Sequence, residues 1–155
     1  MLKTNSNSAI DISSNTTGSI MQFKLIVTNL DKLRIRKMGN VSQNFNRSEF
    51  ACKCGCGFST VDVDLIKVLE VVRRRFGKPI TINSACRCED HNKNIGGSYG
   101  SKHKQGIAAD IVVAETSPNE VYTFLDEYEP NRHGVGKYNN FTHIDVRQNK
   151  ARWEG

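Results

Sequence analysis

Apolar positions in this chain recur once at clear helical spacing and several times at alternating spacing. Between about 61 and 76, Leu65, Val68, Leu69 and Val72 share one stripe of a helix. Thr60 is placed to cap its start. Asp62 and Asp64 stand in the first turn and Arg73, Arg74 and Arg75 in the last, a polarity that suits the helix dipole. Gly77 ends this helix and Pro79 lies just beyond. Residues 80–85 and 107–113 read as strands, and the polar, glycine-bearing stretch 87–102 between them as a loop. Ser117-Pro118-Asn119-Glu120 is a strong helix start: serine as cap, proline at the first position, glutamate at the third. That helix runs to about Tyr128 and stops before Pro130. Two short strands, 134–138 and 141–146, follow around a hairpin turn at Tyr138-Asn139-Asn140-Phe141. The order helix, strand, strand, helix, strand, strand predicts an α+β fold with helices packed on a small, mainly antiparallel sheet.

The first part of the chain reads differently. Residues 1–21 are rich in Ser, Asn and Thr and lack periodicity, as a disordered tail does. Residues 23–35 carry enough alternation for two short strands around Asn29 and Asp31, a piece too short to fold alone. Residues 39–45 read as a linker. The expected organisation is a tail with a short arm or linker over 1–45 and one domain over 46–155, with no internal repeat.

Composition narrows the function classes. A length of 155 residues suits one modest domain. Lysine and arginine outnumber aspartate and glutamate by 22 to 16, and the net charge of +6 favours anionic partners such as nucleic acid, an anionic membrane surface or wall polymers, besides serving solubility. Aromatics are 8% and do not interleave with basic residues along a strand, so base stacking on nucleic acid is not expected. No stretch approaches the roughly 18 apolar residues of a membrane span. Residues 1–21 also lack the apolar core of a signal peptide, so synthesis in a cytoplasm is expected, with work elsewhere only after release. Five cysteines fall in two clusters, Cys52, Cys54 and Cys56, then Cys86 and Cys88. Three readings stay open: reduced structural thiols, one or two bridges formed in an oxidising setting, or a structural zinc site in which Cys52 and Cys56 join the second cluster. The Cys-x-Cys spacing is shorter than the usual gap of zinc knuckles.

The candidate chemistry lies in the second half. His103 sits in a loop between the glycines Gly96, Gly97 and Gly100 and Gly106, which allow tight turns. Asp110 follows seven residues later in a strand with small and apolar neighbours, where a carboxylate is costly unless paired or metal-bound. In the strand 141–146, alternation puts Phe141, His143 and Asp145 on one face. Two imidazoles and one carboxylate suit a zinc ion and leave a fourth position open, as hydrolytic sites require. Each residue alone is ordinary in a strand or loop.

The motifs Ser84-Ala85-Cys86-Arg87-Cys88, His91-Asn92, Gly96-Gly97, Ser101-x-His103-x-x-Gly106-x-Ala108-x-Asp110-Ile111 and His143-Ile144-Asp145-Val146-Arg147, with Arg152-Trp153 at the end, make a combined pattern. Over about 46–153 it closely resembles the zinc D-Ala-D-Ala carboxypeptidase family of peptidoglycan peptidases, which shares its metal-site fold with lysostaphin-type endopeptidases and the hedgehog signalling domain. The resemblance implies zinc held by His103, Asp110 and His143, and hydrolysis of stem-peptide bonds in bacterial peptidoglycan. It also implies that Arg87 lies beside the metal, where a guanidinium can hold a substrate carboxylate bidentately, with Ser101 binding substrate or bracing its loop. One departure stands out. Several branches of the family carry an acid three positions before the last histidine, and Asn140 occupies that position here. Asp145 is then the candidate to take the proton from the attacking water, the competing role being to orient His143. His91 and His133 are expected outside the site. The rival reading is a catalytically inactive, zinc-containing wall-binding domain. A short, basic chain of this kind is also similar to phage endolysins, and a monomer is expected.

Overall fold

The computed structural model describes residues 39–155. The tail and the two strands expected over 23–35 lie outside the described residues. Helix α1 (Val63–Phe76) is the amphipathic helix that the spacing predicts, and Leu65, Val68, Leu69 and Val72 form its buried stripe. Burying each of these side chains is worth roughly 1.5–3 kcal/mol. Its cap is Asp62 rather than Thr60: the Asp62 carboxylate accepts the Asp64 N–H at 2.7 Å. Tertiary contacts hold Thr60 out of the helix, since its carbonyl accepts the Cys86 thiol and the Gly106 backbone packs against it. Gly77 closes the helix in the left-handed region at φ 64°, as a glycine there should.

Strand β1 (Ile80–Ser84) follows, then a short helix α2 (Glu89–Asn94) inside the stretch expected to be loop. This helix has no apolar stripe. It is held at its start by Cys88, whose sulfur accepts the His91 N–H. A helix built on caps rather than on a buried face leaves no periodic signal in a sequence. Strand β2 (Ala108–Val113) comes next, and then helix α3 (Pro118–Tyr128), which starts on the expected capping box of Ser117 and Glu120. Strands β3 (Gly134–Lys137) and β4 (Thr142–Asp145) form the expected hairpin, closed by Tyr138 N–H donating to the Phe141 carbonyl at 3.2 Å. A fifth strand, β5 (Ala151–Glu154), was not legible beforehand.

The strands make one sheet in the order β1-β2-β4-β3-β5. Its first three pairings are antiparallel and β5 joins β3 in parallel, so the fold is α+β with a mainly antiparallel sheet. Ile82, Ala109, Ile111, Val113, Val135 and Ile144 share one core with the stripe of α1 and with Val121 and Leu125 of α3. Side chains alternate across a strand, so the residues between these, Asp110 on β2 and His143 and Asp145 on β4, face the opposite side. That side carries the site. Residues 39–45 pack on the same domain: Phe45 is 1% exposed, and Glu70 of α1 accepts from Ser42 Oγ at 2.7 Å and Asn44 N–H at 2.9 Å.

Candidate metal centre

Asp110 and His143 are register partners in the β2–β4 ladder. Antiparallel partners carry their Cβ atoms about 4.5–5.5 Å apart on one face, and here Asp110 Oδ1 lies 2.8 Å from His143 Nδ1. His103 comes from a 3-10 turn, Lys102–Gln105, that precedes β2 and ends at Gly106 with φ 71°. Its Nε2 lies 3.3 Å from His143 Nδ1 and 3.3 Å from Asp110 Oδ1. The three residues are buried and could hold a metal ion.

The remaining ring nitrogens decide the chemistry of that meeting point. His103 Nδ1 lies 2.7 Å from the Ala85 carbonyl, and a carbonyl only accepts, so the proton is on Nδ1 and the Nε2 lone pair points inward. His143 Nε2 donates to Asp145 Oδ2 at 3.2 Å, which leaves its Nδ1 lone pair inward as well. Two lone pairs and a carboxylate oxygen thus converge, an arrangement that repels itself unless a cation or a proton sits among them. A tetrahedral centre with ligand bonds near 2.0–2.1 Å separates its ligand atoms by about 3.3 Å, close to the distances seen. The residues fit a divalent metal.

Electrostatics agree. Burial pushes the Asp110 carboxyl up, but contacts with His103 and His143 outweigh it and hold the group well below the usual carboxylate range. Burial pushes His143 down, but Asp110 and Asp145 on its two nitrogens raise it above the ordinary imidazole value. In the absence of metal, a proton on Nδ1 takes the place that a cation would fill.

The centre opens into a cleft of ≈ 490 Å³. Arg87, Ser101, Lys102 and Arg147 give its walls polar and positive character, and Tyr138, Phe141 and Trp153 line it with aromatic surface. Within this cleft Asp110 is the one lining carboxylate among the described residues.

The chain matches the family model described as Peptidase M15 over residues 43–145. It belongs to that family. The protein is therefore a metallopeptidase of the zinc D-Ala-D-Ala carboxypeptidase family, as the motifs implied, and it carries a His/Asp/His group that could hold a metal ion. No curated protein matches the chain.

Within this M15 domain the other candidates fall at different depths. Arg87 lines the cleft. It donates from Nη2 to Asp110 Oδ2 at 2.8 Å and from Nε to Ser84 Oγ at 2.9 Å, so it braces the carboxylate from behind. Ser101 lines the cleft at the start of the His103 turn. Asp145 does not line it. It is fully buried, and its two oxygens take His143 Nε2 and a two-pronged pair with Arg147, Nε at 2.7 Å and Nη2 at 2.5 Å. Burial raises its carboxyl, yet His143 and Arg147 outweigh this and hold it well below the usual range. Asn140 sits on the exposed tip of the β3–β4 turn. His133 lines a separate pocket with Asp64, Lys67, Glu129 and Arg132, and His91 lies on α2 outside the cleft.

The motifs include Arg147 and Trp153 without giving either a role, and they do not mark Tyr138 and Phe141 as part of the site. Trp153 Nε1 donates to Tyr138 Oη at 3.0 Å, and Tyr138 stacks on Phe141 with ring centres 4.3 Å apart. These residues lie on β5 and the hairpin, which only the parallel β3–β5 pairing brings together. Two glycines make room for them. A Cβ on Gly136 would stand 2.5 Å from Trp153 Cε2, and one on Gly134 would stand 2.3 Å from Asp145 Oδ2.

Proposed function

We propose that the protein is a zinc-dependent peptidase that hydrolyses stem-peptide bonds of bacterial peptidoglycan, as a D,D-carboxypeptidase or an endopeptidase. The observation that carries this reading is the convergence of His103 Nε2, Asp110 Oδ1 and His143 Nδ1 within 2.8–3.3 Å on the floor of a cleft with cationic walls. Two nitrogens and one oxygen suit zinc and leave it an open position. When bound, zinc supplies Lewis-acid polarisation of the scissile carbonyl and a water nucleophile ionisable near neutral pH.

The protein's own side chains supply the rest. His103 is held in one tautomer by the Ala85 carbonyl and His143 by Asp145. Arg87 orients Asp110 and, at the cleft wall, meets the carboxylates that stem peptides carry. Ser101 offers its hydroxyl from the same wall. Tyr138, Phe141 and Trp153 line the cleft with apolar surface, which suits the methyl groups of D-Ala residues. For Asp145, full burial and the pair with Arg147 support the orienting role over that of proton acceptor: it touches the ring nitrogen turned away from the meeting point. The net charge of +6 suits an anionic wall, which fits an endolysin-like enzyme that reaches peptidoglycan after release.

The test is digestion of purified peptidoglycan by the full chain, followed by mass spectrometry of muropeptides, with and without a chelator and with zinc restored. Carboxypeptidase action releases D-Ala, and endopeptidase action leaves smaller muropeptides with new amines. Muropeptides left intact by folded, zinc-loaded protein would sink the proposal.

A further inference from the structure

Away from the cleft, four of the five cysteines meet. The Sγ atoms of Cys52, Cys54, Cys56 and Cys88 all lie within 4.8 Å of one another, although Cys88 stands 36 positions after Cys52. Cys52–Cys54, Cys54–Cys88 and Cys52–Cys88 are 3.3, 3.6 and 3.9 Å apart, and all four are free thiols. A tetrahedral centre with metal–sulfur bonds near 2.3 Å separates its sulfurs by about 3.8 Å. We propose that Cys52, Cys54, Cys56 and Cys88 form a second metal site, a tetrathiolate that takes one soft divalent cation of zinc's class.

The backbone around the cluster is built to gather sulfur. The loop turns sharply at Gly55, inside the second Cys-x-Cys step, and at Gly57, just after Cys56, with φ 79° and 83° in the left-handed region. The loop is tied at its base by Cys52 N–H donating to the Phe58 carbonyl at 2.7 Å, and again by Gly55 N–H donating to the Cys52 carbonyl at 3.2 Å. Two further backbone N–H groups point at sulfur: Cys88 N–H at Cys52 Sγ and His91 N–H at Cys88 Sγ, each at 3.4 Å. Such donors favour thiolate, the form that binds metal. The fifth thiol is accounted for separately, because Cys86 is buried and donates to the Thr60 carbonyl. An odd cysteine count thus resolves into four converging sulfurs and one core thiol. S4 sets of this kind select zinc or iron over harder cations.

A metal there would have a structural task. Cys88 caps α2 and is the next residue after Arg87, while Arg87 N–H donates to the His103 carbonyl at 3.2 Å. The tetrathiolate would pin the Cys-Gly loop to the segment that sets Arg87 against Asp110.

The experiment uses the full chain purified under reducing conditions. Metal analysis is expected to give about two zinc ions per chain, falling to about one in Cys54→Ser/Cys56→Ser and to about one in His143→Ala. Loading wild type with Co²⁺ is expected to add a near-ultraviolet sulfur-to-cobalt charge-transfer band, kept in His143→Ala and lost in the double cysteine variant. Cys54 and Cys56 are exposed, so folding of that variant is checked by circular dichroism. Should it not fold, the wild-type cobalt spectrum still decides. Cobalt-loaded wild type without a thiolate band, or zinc-saturated protein whose thiols react as fast as after chelation, overturns the proposal. Visible iron–sulfur absorption in the isolated protein overturns the zinc class.

Discussion

Asp110 and His143, 33 positions apart in the chain, stand directly opposite each other in the β2–β4 ladder, with Oδ1 2.8 Å from Nδ1. Two of the three converging groups therefore come from paired strands of the sheet, held by the backbone ladder. The third, His103, comes from a turn pinned by the Ala85 carbonyl. The ladder register and this hydrogen bond set the positions of all three groups.

Asp145 either orients His143 or takes a proton, and one substitution separates the two roles. Asp145→Asn should lower zinc affinity roughly 10–100-fold, the usual effect of losing a carboxylate behind a ligand histidine. At saturating zinc, hydrolysis should return to near the wild-type rate. Competition with a chromophoric chelator gives the affinity, and peptide hydrolysis at full occupancy gives the rate. A rate that stays low in fully loaded protein would assign Asp145 to proton transfer instead.

Zinc affinity should depend on pH near neutrality. His143 must lose its Nδ1 proton to serve as a ligand, and Asp110 and Asp145 raise its pKa above the ordinary 6.5. Below that raised value the metal competes with the proton, and affinity should drop about tenfold per pH unit for the proton displaced. Asp110 is held well below the usual range and stays ionised there, so it adds no dependence. Affinity that is level from about pH 5 to pH 8 would contradict the assignment of His143 as a ligand.

Acid should also weaken the metal-free fold. The Asp145 carboxyl is depressed in the folded state from its ordinary 3.8, against burial, by His143 and Arg147. A depressed carboxylate contributes stability that is present above the unfolded value and lost as pH falls through the folded one. Urea unfolding of wild type should therefore show a decline below about pH 4 that is shallower in Asp145→Asn. Equal slopes in the two proteins would show that the ion pair contributes nothing.

The glycines of β3 should resist substitution. Gly136→Ala places a methyl 2.5 Å from Trp153 Cε2, in a strand where the conformation itself suits alanine. The cost is steric and should be about 1–3 kcal/mol in denaturant unfolding. Trp153 lines the cleft, so its fluorescence should shift with the same variant. A variant with wild-type stability would mean that β5 gives way freely.

Asn92 should matter for substrate more than for metal. Its side-chain amide donates to the Gly97 and Ser98 carbonyls at 3.2 and 3.0 Å, and both residues line the cleft. Asn92→Ala should cost about 0.5–1.5 kcal/mol of stability by removing hydrogen bonds to the Gly97 and Ser98 carbonyls. In the loaded enzyme KM should rise more than kcat falls. A lost zinc equivalent instead would tie this loop to the metal.

Much of this was legible in the residues themselves. Leu65, Val68, Leu69 and Val72 announced α1, and Ser117 with Glu120 announced the start of α3, because helix stripes and caps are written within a few residues. The motifs around His103, Asp110 and His143 named the candidate ligands. What they could not supply was partnership. The shift of the α1 cap from Thr60 to Asp62 depends on Cys86 and Gly106, residues distant in the chain. Helix α2 rests on one sulfur cap, and β5 exists only because β3 lies beside it. The bracing of Asp110 by Arg87, the burial of Asp145 under Arg147 and the meeting of four sulfurs are likewise long-range events. Local patterns set which groups this chain carries and in what kind of element, since propensity and periodicity act over a turn or a strand. Strand pairing and loop closure decided which of those groups touch, since contact energies act through space and depend on where the whole chain comes to rest.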